Sequence, residues 1–363
     1  MMPDLVLGDV DMTGDPEGAL ARLLASAMPL LEPGGGPLPE PWQPGTDHAA
    51  WAAEVAAMRA RHDSSALDAG ALYERLLRDA VGPDPLNIGD APIAVEWADI
   101  DHGRVGLRVY LPGEDPRAPE APRAPETPRA PETPRAMIGL VHGGAYWMGG
   151  GAAGWRLNDA LCRKLAAGVG AVVVNIDHRL APEHPHPAPV DDVVLAMEWM
   201  LTHADRLNGD AARLVLFGIS SGGNLVAAAA HRSLDGAAPR PAAVVLQCPS
   251  VTLSLASSRF EAGAADLAGA ERIVSLYTAG ADPEDPDVSP ALRPMLNGLP
   301  PMLLITADLD PLTADTLSYA QRLRAAGVEV THHPYPMAHT IATPSVFVRM
   351  HEEIVAWLRE TLS

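Results

Sequence analysis

The chain has 363 residues, of which 47% are apolar and 20% are charged, a composition that excludes a wholly disordered protein. Its 46 acidic residues outnumber its 26 basic residues, and the formal net charge is −20. A surface of that sign repels phosphate backbones and anionic lipids, so we expect neither a nucleic-acid nor a membrane partner.

Residues 1–89 predict a helical region that has no strand of its own. Apolar residues recur at helical spacing over Glu17–Leu31, Ala49–Met58 and Leu67–Val81. A Pro/Gly stretch from Glu32 to Gly45 separates the first helix from the second. Helices of this kind do not easily bury their apolar faces alone, so we expect them to pack on the rest of the chain.

From about residue 90 the pattern changes to strands that alternate with helices. A hairpin of two strands comes first, Ile93–Ile100 and Val105–Leu111. The further predicted strands are Met137–His142, Ala171–Ile176, Arg213–Gly218, Ala243–Gln247, Met302–Thr306 and Val328–His333. The predicted helices are Leu157–Ala167, Val190–Leu207, Gly222–Leu234, Thr313–Ala326 and Val346–Leu362. This order predicts an α/β fold over residues 90–363, with a mostly parallel eight-stranded sheet, helices on both faces and an antiparallel edge.

A proline repeat interrupts the strand region. The hexapeptide Pro-Arg-Ala-Pro-Glu-Ala/Thr recurs from Pro116 to Pro134 and has no apolar face. We therefore expect a disordered, inert surface insertion over residues 115–136, and a ligand for a proline-recognition domain is the alternative.

The cysteines and the start of the chain bear on location. Cys162 and Cys248, the only cysteines, both lie in apolar runs, and we expect them to be buried free thiols. The first residues show no basic and apolar leader, and no stretch reaches 18 uninterrupted apolar residues. We therefore expect a cytoplasmic protein.

The strongest functional signal is Gly218-Ile219-Ser220-Ser221-Gly222, which lies between a predicted strand and an Ala-rich helix. In this context G-x-S-x-G is typical of a nucleophile elbow, a strained turn that exposes a serine at the top of the sheet. The pattern predicts Ser220 as a nucleophile. The alternative is a Gly/Ser turn that only caps the helix.

A nucleophilic serine needs a base and a residue that orients the base. Downstream of such an elbow the order is acid, then histidine. Asp308 and Asp310 both follow the same predicted strand, and the residues alone leave the choice between them open. His339 follows the next strand at the same sheet edge, so it is a better candidate base than His332 or His333, which lie inside that strand.

A third element, His142–Tyr146, follows directly after a predicted strand. Its small residues allow successive backbone N–H groups to point at a developing oxyanion, and the residue after the nucleophile adds another N–H donor. The predicted oxyanion hole comprises Gly143, Gly144, Ala145 and Ser221. We expect Tyr146 and Ile219 to contact the substrate.

These elements resemble the hormone-sensitive-lipase-like branch of the α/β-hydrolases, bacterial carboxylesterases with an HGGG-type motif. The likeness runs from about Ile93 to the C-terminus, outside the proline repeat. Four blocks carry it: His142–Gly150, Asp177–Pro185, Gly218–Asn224, and Asp287–Pro290 followed by Gly298–Leu312.

The resemblance implies an α/β-hydrolase fold and selects Asp310 as the acid, because the family's aspartate directly precedes Pro-Leu. It also implies a lid over the site. The family's lid consists mostly of N-terminal helices, which corresponds to residues 1–89, and of the segment after the sixth strand, which corresponds to residues 250–290.

The resemblance places the oxyanion donors at Gly144, Ala145 and Ser221, with Gly143 shaping the loop. Ala145 stands where the family has its third glycine, and Ser221 stands where alanine is usual. Both are small enough to keep the donors. Ile219 replaces the usual Asp or Thr before the nucleophile, which bears on substrate preference more than on hydrolysis.

The sequence therefore predicts a serine carboxylesterase that hydrolyses small to medium neutral esters through an acyl-enzyme. Its catalytic residues are Ser220, His339 and Asp310, and it needs no cofactor and no metal. A small-molecule ester is the expected partner, and homodimer formation stays open. The alternatives are a deacetylase, amidase or acyltransferase of secondary metabolism, and a non-catalytic binder similar to the plant gibberellin receptor, which would be expected to lack a triad member.

Overall fold

The computed structural model describes residues 38–113, 133–259 and 264–363. The first predicted helix, Glu17–Leu31, and most of the proline repeat lie outside these residues.

One eight-stranded sheet forms the centre, with strand order β1-β2-β4-β3-β5-β6-β7-β8. Its strands are β1 Ile93–Ile100, β2 Val105–Pro112, β3 Arg135–Val141, β4 Val172–Asp177, β5 Gly209–Ile219, β6 Ala243–Gln247, β7 Met302–Ala307 and β8 Val330–Tyr335. β2 pairs antiparallel with both β1 and β4, and all other pairs are parallel. The mostly parallel sheet with an antiparallel edge is confirmed.

Helices cover both faces of the sheet. They are α1 His48–Val81, α2 Gly151–Val169, α3 Ala188–Thr202, α4 Ser221–Arg232, α5 Ala264–Thr278, α6 Thr313–Ala325 and α7 Pro344–Thr361. The sequence analysis does not predict α5, because apolar, alanine and charged residues are mixed around it without a clear stripe. Within the three described ranges, no helix is long and apolar enough to cross a bilayer.

The inner strands are buried from both sides because two apolar clusters, one on each face, separate them from solvent. β6, with sequence AVVLQ, is buried at every residue, and β4 is buried at all but its last residue. A strand covered on both faces needs a continuous apolar run. For this reason the sequence locates the inner strands to within a few residues.

Helix α1 is a single helix of 34 residues. The prediction of two helices, Ala49–Met58 and Leu67–Val81, is wrong because the polar stretch between them contains neither proline nor glycine and continues the helix. Asp47 caps the start of the helix, because its side chain accepts hydrogen bonds from the N–H groups of Ala49 and Ala50. α1 packs on α2 and α7.

Some other boundaries also differ from the prediction. Helix α3 ends at Thr202, before its predicted end. β5 begins at Gly209, ahead of the predicted Arg213, because Gly209 already pairs with Arg135. Since β3 starts at Arg135, the insertion predicted over residues 115–136 ends too late.

Candidate active site

Ser220 lies at the tight turn between β5 and α4, with φ 55° and ψ −119°. A positive φ is strained for a residue with a side chain, and such strain is common at functional sites. The glycines on either side permit the turn. A Cβ on Gly218 would lie 2.4 Å from the carbonyl oxygen of Gly222, and a Cβ on Gly222 would lie 2.3 Å from the carbonyl oxygen of Val141. The turn therefore has the shape of a nucleophile elbow.

His339 and Asp310 lie beside this serine. His339 Nε2 is 2.8 Å from Ser220 Oγ, and His339 Nδ1 is 2.7 Å from Asp310 Oδ2. Asp310 is buried, and its other carboxylate oxygen accepts a hydrogen bond of 3.0 Å from the N–H of Leu312. An ionised carboxylate only accepts, so Nδ1 carries the proton and Nε2 is free to accept from the serine.

The alternative residues lie elsewhere. Asp308 is exposed, whereas Asp310 is buried against His339. In β8, His332 Nε2 lies 2.8 Å from the Thr306 hydroxyl. Of the histidines that the structure describes, His339 is therefore the one within hydrogen-bond distance of Ser220 Oγ.

The segment His142–Gly150, called the glycine loop below, follows β3 and approaches the elbow. A Cβ on Gly143 would lie 3.1 Å from Ser220 Cβ, and a Cβ on Gly144 would lie 2.0 Å from the carbonyl oxygen of Met148. Gly144, which also has φ 125°, therefore requires glycine, and Gly143 leaves little room for a side chain. Ala145 has φ 50°, which a small side chain tolerates.

The N–H groups of Gly144, Ala145 and Ser221 have no hydrogen-bond acceptor among the residues that the structure describes. Unpaired donors near a strained serine are what a developing oxyanion requires. The Ser221 side chain is buried and its hydroxyl has no partner within the same ranges.

Comparison with known proteins gives the family. The model of a family described as "alpha/beta hydrolase fold" matches residues 137–342, more than half of the chain. The chain belongs to this α/β-hydrolase family. The resemblance to the hormone-sensitive-lipase-like branch is confirmed.

Named relatives agree with this assignment. Carboxylesterase NlhH of Mycobacterium tuberculosis is 36% identical over 197 residues, which cover 52% of this chain and 60% of NlhH. Ethyl acetate hydrolase of Pseudomonas putida is 33% identical over 199 residues, which cover 52% of this chain and 60% of that protein. The match thus spans less than two thirds of each relative.

A solved structure extends the likeness in space. The crystal structure of esterase LipW from Mycobacterium marinum superposes with a TM-score of 0.64 at 28% identity, over 82% of this chain and 90% of LipW. The predicted fold is confirmed.

Buried aromatic pairs support the glycine loop of this α/β-hydrolase. His142 stacks on His178 with ring centroids 4.4 Å apart. The pKa of His142 is lowered mainly by burial and to a smaller extent by the nearby His178. Tyr146 is only 2% exposed and stacks on Tyr277 at 4.0 Å. Ile219 is half-buried against an apolar cluster. Substrate contact by Tyr146 and Ile219 stays a prediction.

Helix α1 also holds the glycine loop, through residues that the sequence analysis misses. Arg59 donates to the carbonyl oxygens of Trp147 and Ala181 at 2.6 and 3.0 Å. Its guanidinium also donates to both oxygens of Glu183, at 2.8 and 2.6 Å. These contacts join α1 to two loops, and the sequence signal for them is weak, because an arginine within a helix is usually a surface residue.

Two more contacts extend this hold to both sides of the site. The Asp63 carboxylate accepts a hydrogen bond of 2.9 Å from the N–H of Gly149. Burial raises the pKa of Asp63. Further along α1, the Tyr73 hydroxyl donates to the carbonyl oxygen of Ala342, in the loop that carries His339. One helix therefore contacts both loops that flank Ser220.

The segment after β6 begins at the nucleophile. The N–H of Ser250 donates to the carbonyl oxygen of Ser220 at 3.2 Å. The Asn224 amide donates to the carbonyl oxygens of Ser250 and Val288, at 2.8 and 2.9 Å. Both ends of the predicted second lid segment, residues 250–290, are thus tied to the helix that follows the nucleophile.

Cys248, directly after β6, is another residue whose position the sequence analysis does not anticipate. Its Sγ donates to the carbonyl oxygen of His339 at 2.7 Å. Burial, and next the charge of Asp310, raise the pKa of the Cys248 thiol well above its ordinary value, so the thiol is protonated at neutral pH. Both cysteines are buried and free, as expected.

Proposed function

We propose that this α/β-hydrolase is a serine carboxylesterase that hydrolyses small to medium neutral esters. One observation carries the proposal: Ser220 Oγ, His339 and Asp310 form a hydrogen-bonded chain with contacts of 2.8 and 2.7 Å. This geometry suits acyl transfer, in which a base activates the serine and an acid orients the base. The named activities of NlhH and ethyl acetate hydrolase support the same conclusion.

Acylation begins when Ser220 Oγ attacks the carbonyl carbon of the ester. The serine proton passes to His339 Nε2, and the buried Asp310 carboxylate stabilises the imidazolium through Nδ1–H. The protonated Nε2 then delivers the proton to the leaving alcohol. In deacylation, water gives a proton to Nε2 and attacks the acyl-enzyme, and the proton returns to Ser220.

The tetrahedral oxyanion would be held by the N–H groups of Gly144, Ala145 and Ser221. Each donor of this kind contributes roughly 3–4 kcal/mol to transition-state stabilisation. The unpaired state of these three N–H groups among the described residues supports their role, because no internal bond has to break before they bind the oxyanion.

A neutral substrate fits the charges near the glycine loop. Arg59, a cation that contacts this loop, is paired with Glu183 through two hydrogen bonds. An anionic substrate would have to compete with that carboxylate. The printed name of ethyl acetate hydrolase supports a short acyl chain.

Residues 1–89 and 250–290 would form the cap over the site. The hydrogen bonds from α1 to the glycine loop support the first assignment, and the Ser250 contact to Ser220 supports the second. The cytoplasmic location stays a prediction, which cell fractionation would test. Homodimer formation stays open, and light scattering would decide it.

The reaction is tested with a fluorophosphonate probe and a panel of p-nitrophenyl esters. The probe is expected to label Ser220, located by peptide mass spectrometry, and Ser220→Ala is expected to lower kcat by about 10⁴-fold or more. Labelling at another residue, or full turnover by Ser220→Ala, would contradict the proposal. Ser64→Ala, an exposed serine of α1, is the control.

The acid is tested with a matched pair of variants. Asp310→Asn is expected to lower kcat by about 10⁴-fold, because the amide favours the wrong histidine tautomer. Asp308→Asn, two residues away and exposed, is expected to keep activity within about threefold. The opposite result would make Asp308 the acid.

A further inference from the structure

A third potential metal ligand lies beside the acid and base. The side-chain ligand atoms of Cys248, Asp310 and His339 all lie within 4.8 Å of one another. Cys248 and Asp310 are buried, whereas the His339 side chain is 28% exposed. The three side chains come from different loops at the carboxyl edge of the sheet, so tertiary structure alone brings them together.

This spacing is close to that of a tetrahedral zinc site. Zinc binds thiolate sulfur at about 2.3 Å and imidazole nitrogen or carboxylate oxygen at about 2.0–2.2 Å. At tetrahedral angles such bonds place neighbouring ligand atoms about 3.3–3.7 Å apart. Coordination of one ion would therefore need Asp310 and His339 to move apart from their 2.7 Å contact, and the atoms of the cluster, all within 4.8 Å of one another, to settle at this spacing.

The cluster also has a suitable charge and chemistry. Thiolate, imidazole and carboxylate are the ligand types that zinc takes in proteins. A doubly charged cation with the Cys248 thiolate and the Asp310 carboxylate makes a neutral group, so burial of the ion is compensated. Ser220, His339 and Asp310 alone offer no sulfur ligand, so Cys248 is the residue that makes the cluster suitable for a thiophilic cation.

We propose that Cys248, Asp310 and His339 form a binding site for thiophilic divalent cations, with Zn²⁺ as the probe, and that an ion bound there inhibits the esterase. The inhibition rests on the proposed function, whereas the binding does not.

Coordination would disable the base through its tautomer. The ion takes the lone pair of His339 Nδ1, so the imidazole proton moves from Nδ1 to Nε2, and the Cys248 thiol releases its proton to solvent. Nε2–H then faces Ser220 Oγ and has no lone pair to accept the serine proton. The ion also separates Asp310 from the imidazole. The partly exposed His339 offers the route of entry from solvent.

The test uses the full chain without a histidine tag, in a buffer that does not chelate metals. ZnCl₂ is titrated into assays of a short p-nitrophenyl ester, and each variant is compared with its own zinc-free rate. Cys248→Ser is expected to raise the half-inhibitory zinc concentration by about tenfold or more, because the sulfur ligand is lost. Cys248→Ala is a second variant in case the serine disturbs folding.

Cys162→Ala is the matched control, because Cys162 is the other buried thiol, lies in α2, and belongs to no group of potential metal ligands among the residues that the structure describes. It is expected to be inhibited like the unmodified protein, and a chelator is expected to restore activity. Equal inhibition of Cys248→Ser, Cys248→Ala and the unmodified protein would overturn the proposal. So would an unmodified protein that zinc does not inhibit.

A second readout does not depend on activity. Co²⁺ bound through a thiolate gives a near-ultraviolet charge-transfer band, which is expected in the unmodified protein and in Cys162→Ala and is expected to be lost in both Cys248 variants. If the band appears in a protein without esterase activity, the metal site stands and the proposed function fails. If esterase activity is normal but the band is absent, the metal site fails and the proposed function stands.

Discussion

Arg59 makes four hydrogen bonds from α1 to the glycine loop and to the loop after β4, two to the Glu183 carboxylate and one each to the carbonyl oxygens of Trp147 and Ala181. Arg59→Met keeps most of the side-chain volume but removes every one of these donors. Breaking a buried ion pair costs about 3–5 kcal/mol. The two side chains here are 17% and 20% exposed, so water partly compensates, and we expect a stability loss of about 2–3 kcal/mol.

Activity is expected to fall as well, because Trp147 belongs to the glycine loop. A displacement of that loop by about 1 Å is enough to lower kcat/KM by about 10–100-fold. Urea unfolding measures the stability, and hydrolysis of a p-nitrophenyl ester measures the activity. Arg61→Met is the control, since Arg61 is exposed on the same helix.

The double variant Arg59→Met/Glu183→Leu separates charge from loop support. It leaves no unpaired carboxylate and is expected to regain part of the stability, but the carbonyl oxygens of Trp147 and Ala181 still lack their donor, so activity stays low. The reasoning is refuted if Arg59→Met behaves like Arg61→Met, or if the double variant recovers full activity.

Three other predictions follow from the buried histidines, the proline repeat and the acyl pocket. Burial lowers the pKa of His231 to about 3 and that of His351 to about 4, below the pKa near 6.5 of histidine in an unfolded chain. Because the folded state then binds fewer protons than the unfolded state, the free energy of unfolding is expected to fall as the pH drops from about 6.5 to 4. Equal urea midpoints at pH 7.5 and 4.5 would contradict this prediction. Replacing residues 116–132 with a short Gly/Ser turn is expected to keep kcat/KM within about threefold and not to lower Tm, since long surface insertions add little closure entropy. A tenfold loss of kcat/KM would show that the repeat acts on the site. Turnover is expected to be best for esters with acyl chains of about two to eight carbons and low on emulsified long-chain triglycerides. Rates that rise with acyl-chain length up to sixteen carbons would instead indicate a lipase.

The sheet is predictable from the sequence because its inner strands are covered on both faces. β6 matches its prediction at both ends, and β4 and β7 differ from theirs by one residue. The positions of Ser220 and His339 could also be predicted, because Ser220 directly follows β5 and His339 lies in the loop after β8, at the same edge of the sheet. The residues alone leave open which aspartate faces His339. The structure distinguishes them, because Asp310 is buried against His339 whereas Asp308 is exposed.

The features that the sequence does not predict depend on contacts between distant parts of the chain. Helix α1 has a polar middle, and periodicity divides it into two pieces, although Arg59 and Asp63 in that middle have partners in other loops. Cys248 lies in an apolar run typical of a core thiol, and its contact with His339 joins residues 91 positions apart. No local pattern carries such information.

The contacts of α1 with two loops have a consequence for exchanging parts between relatives. Arg59 and Asp63 bind the glycine loop, and Tyr73 binds the loop that carries His339. A chimera that keeps residues 90–363 but takes the preceding region from another member of the family would lose each of these contacts that the donor does not supply. A helix exchanged at the position of α1 to change substrate preference is therefore expected to change how fast any substrate reacts as well.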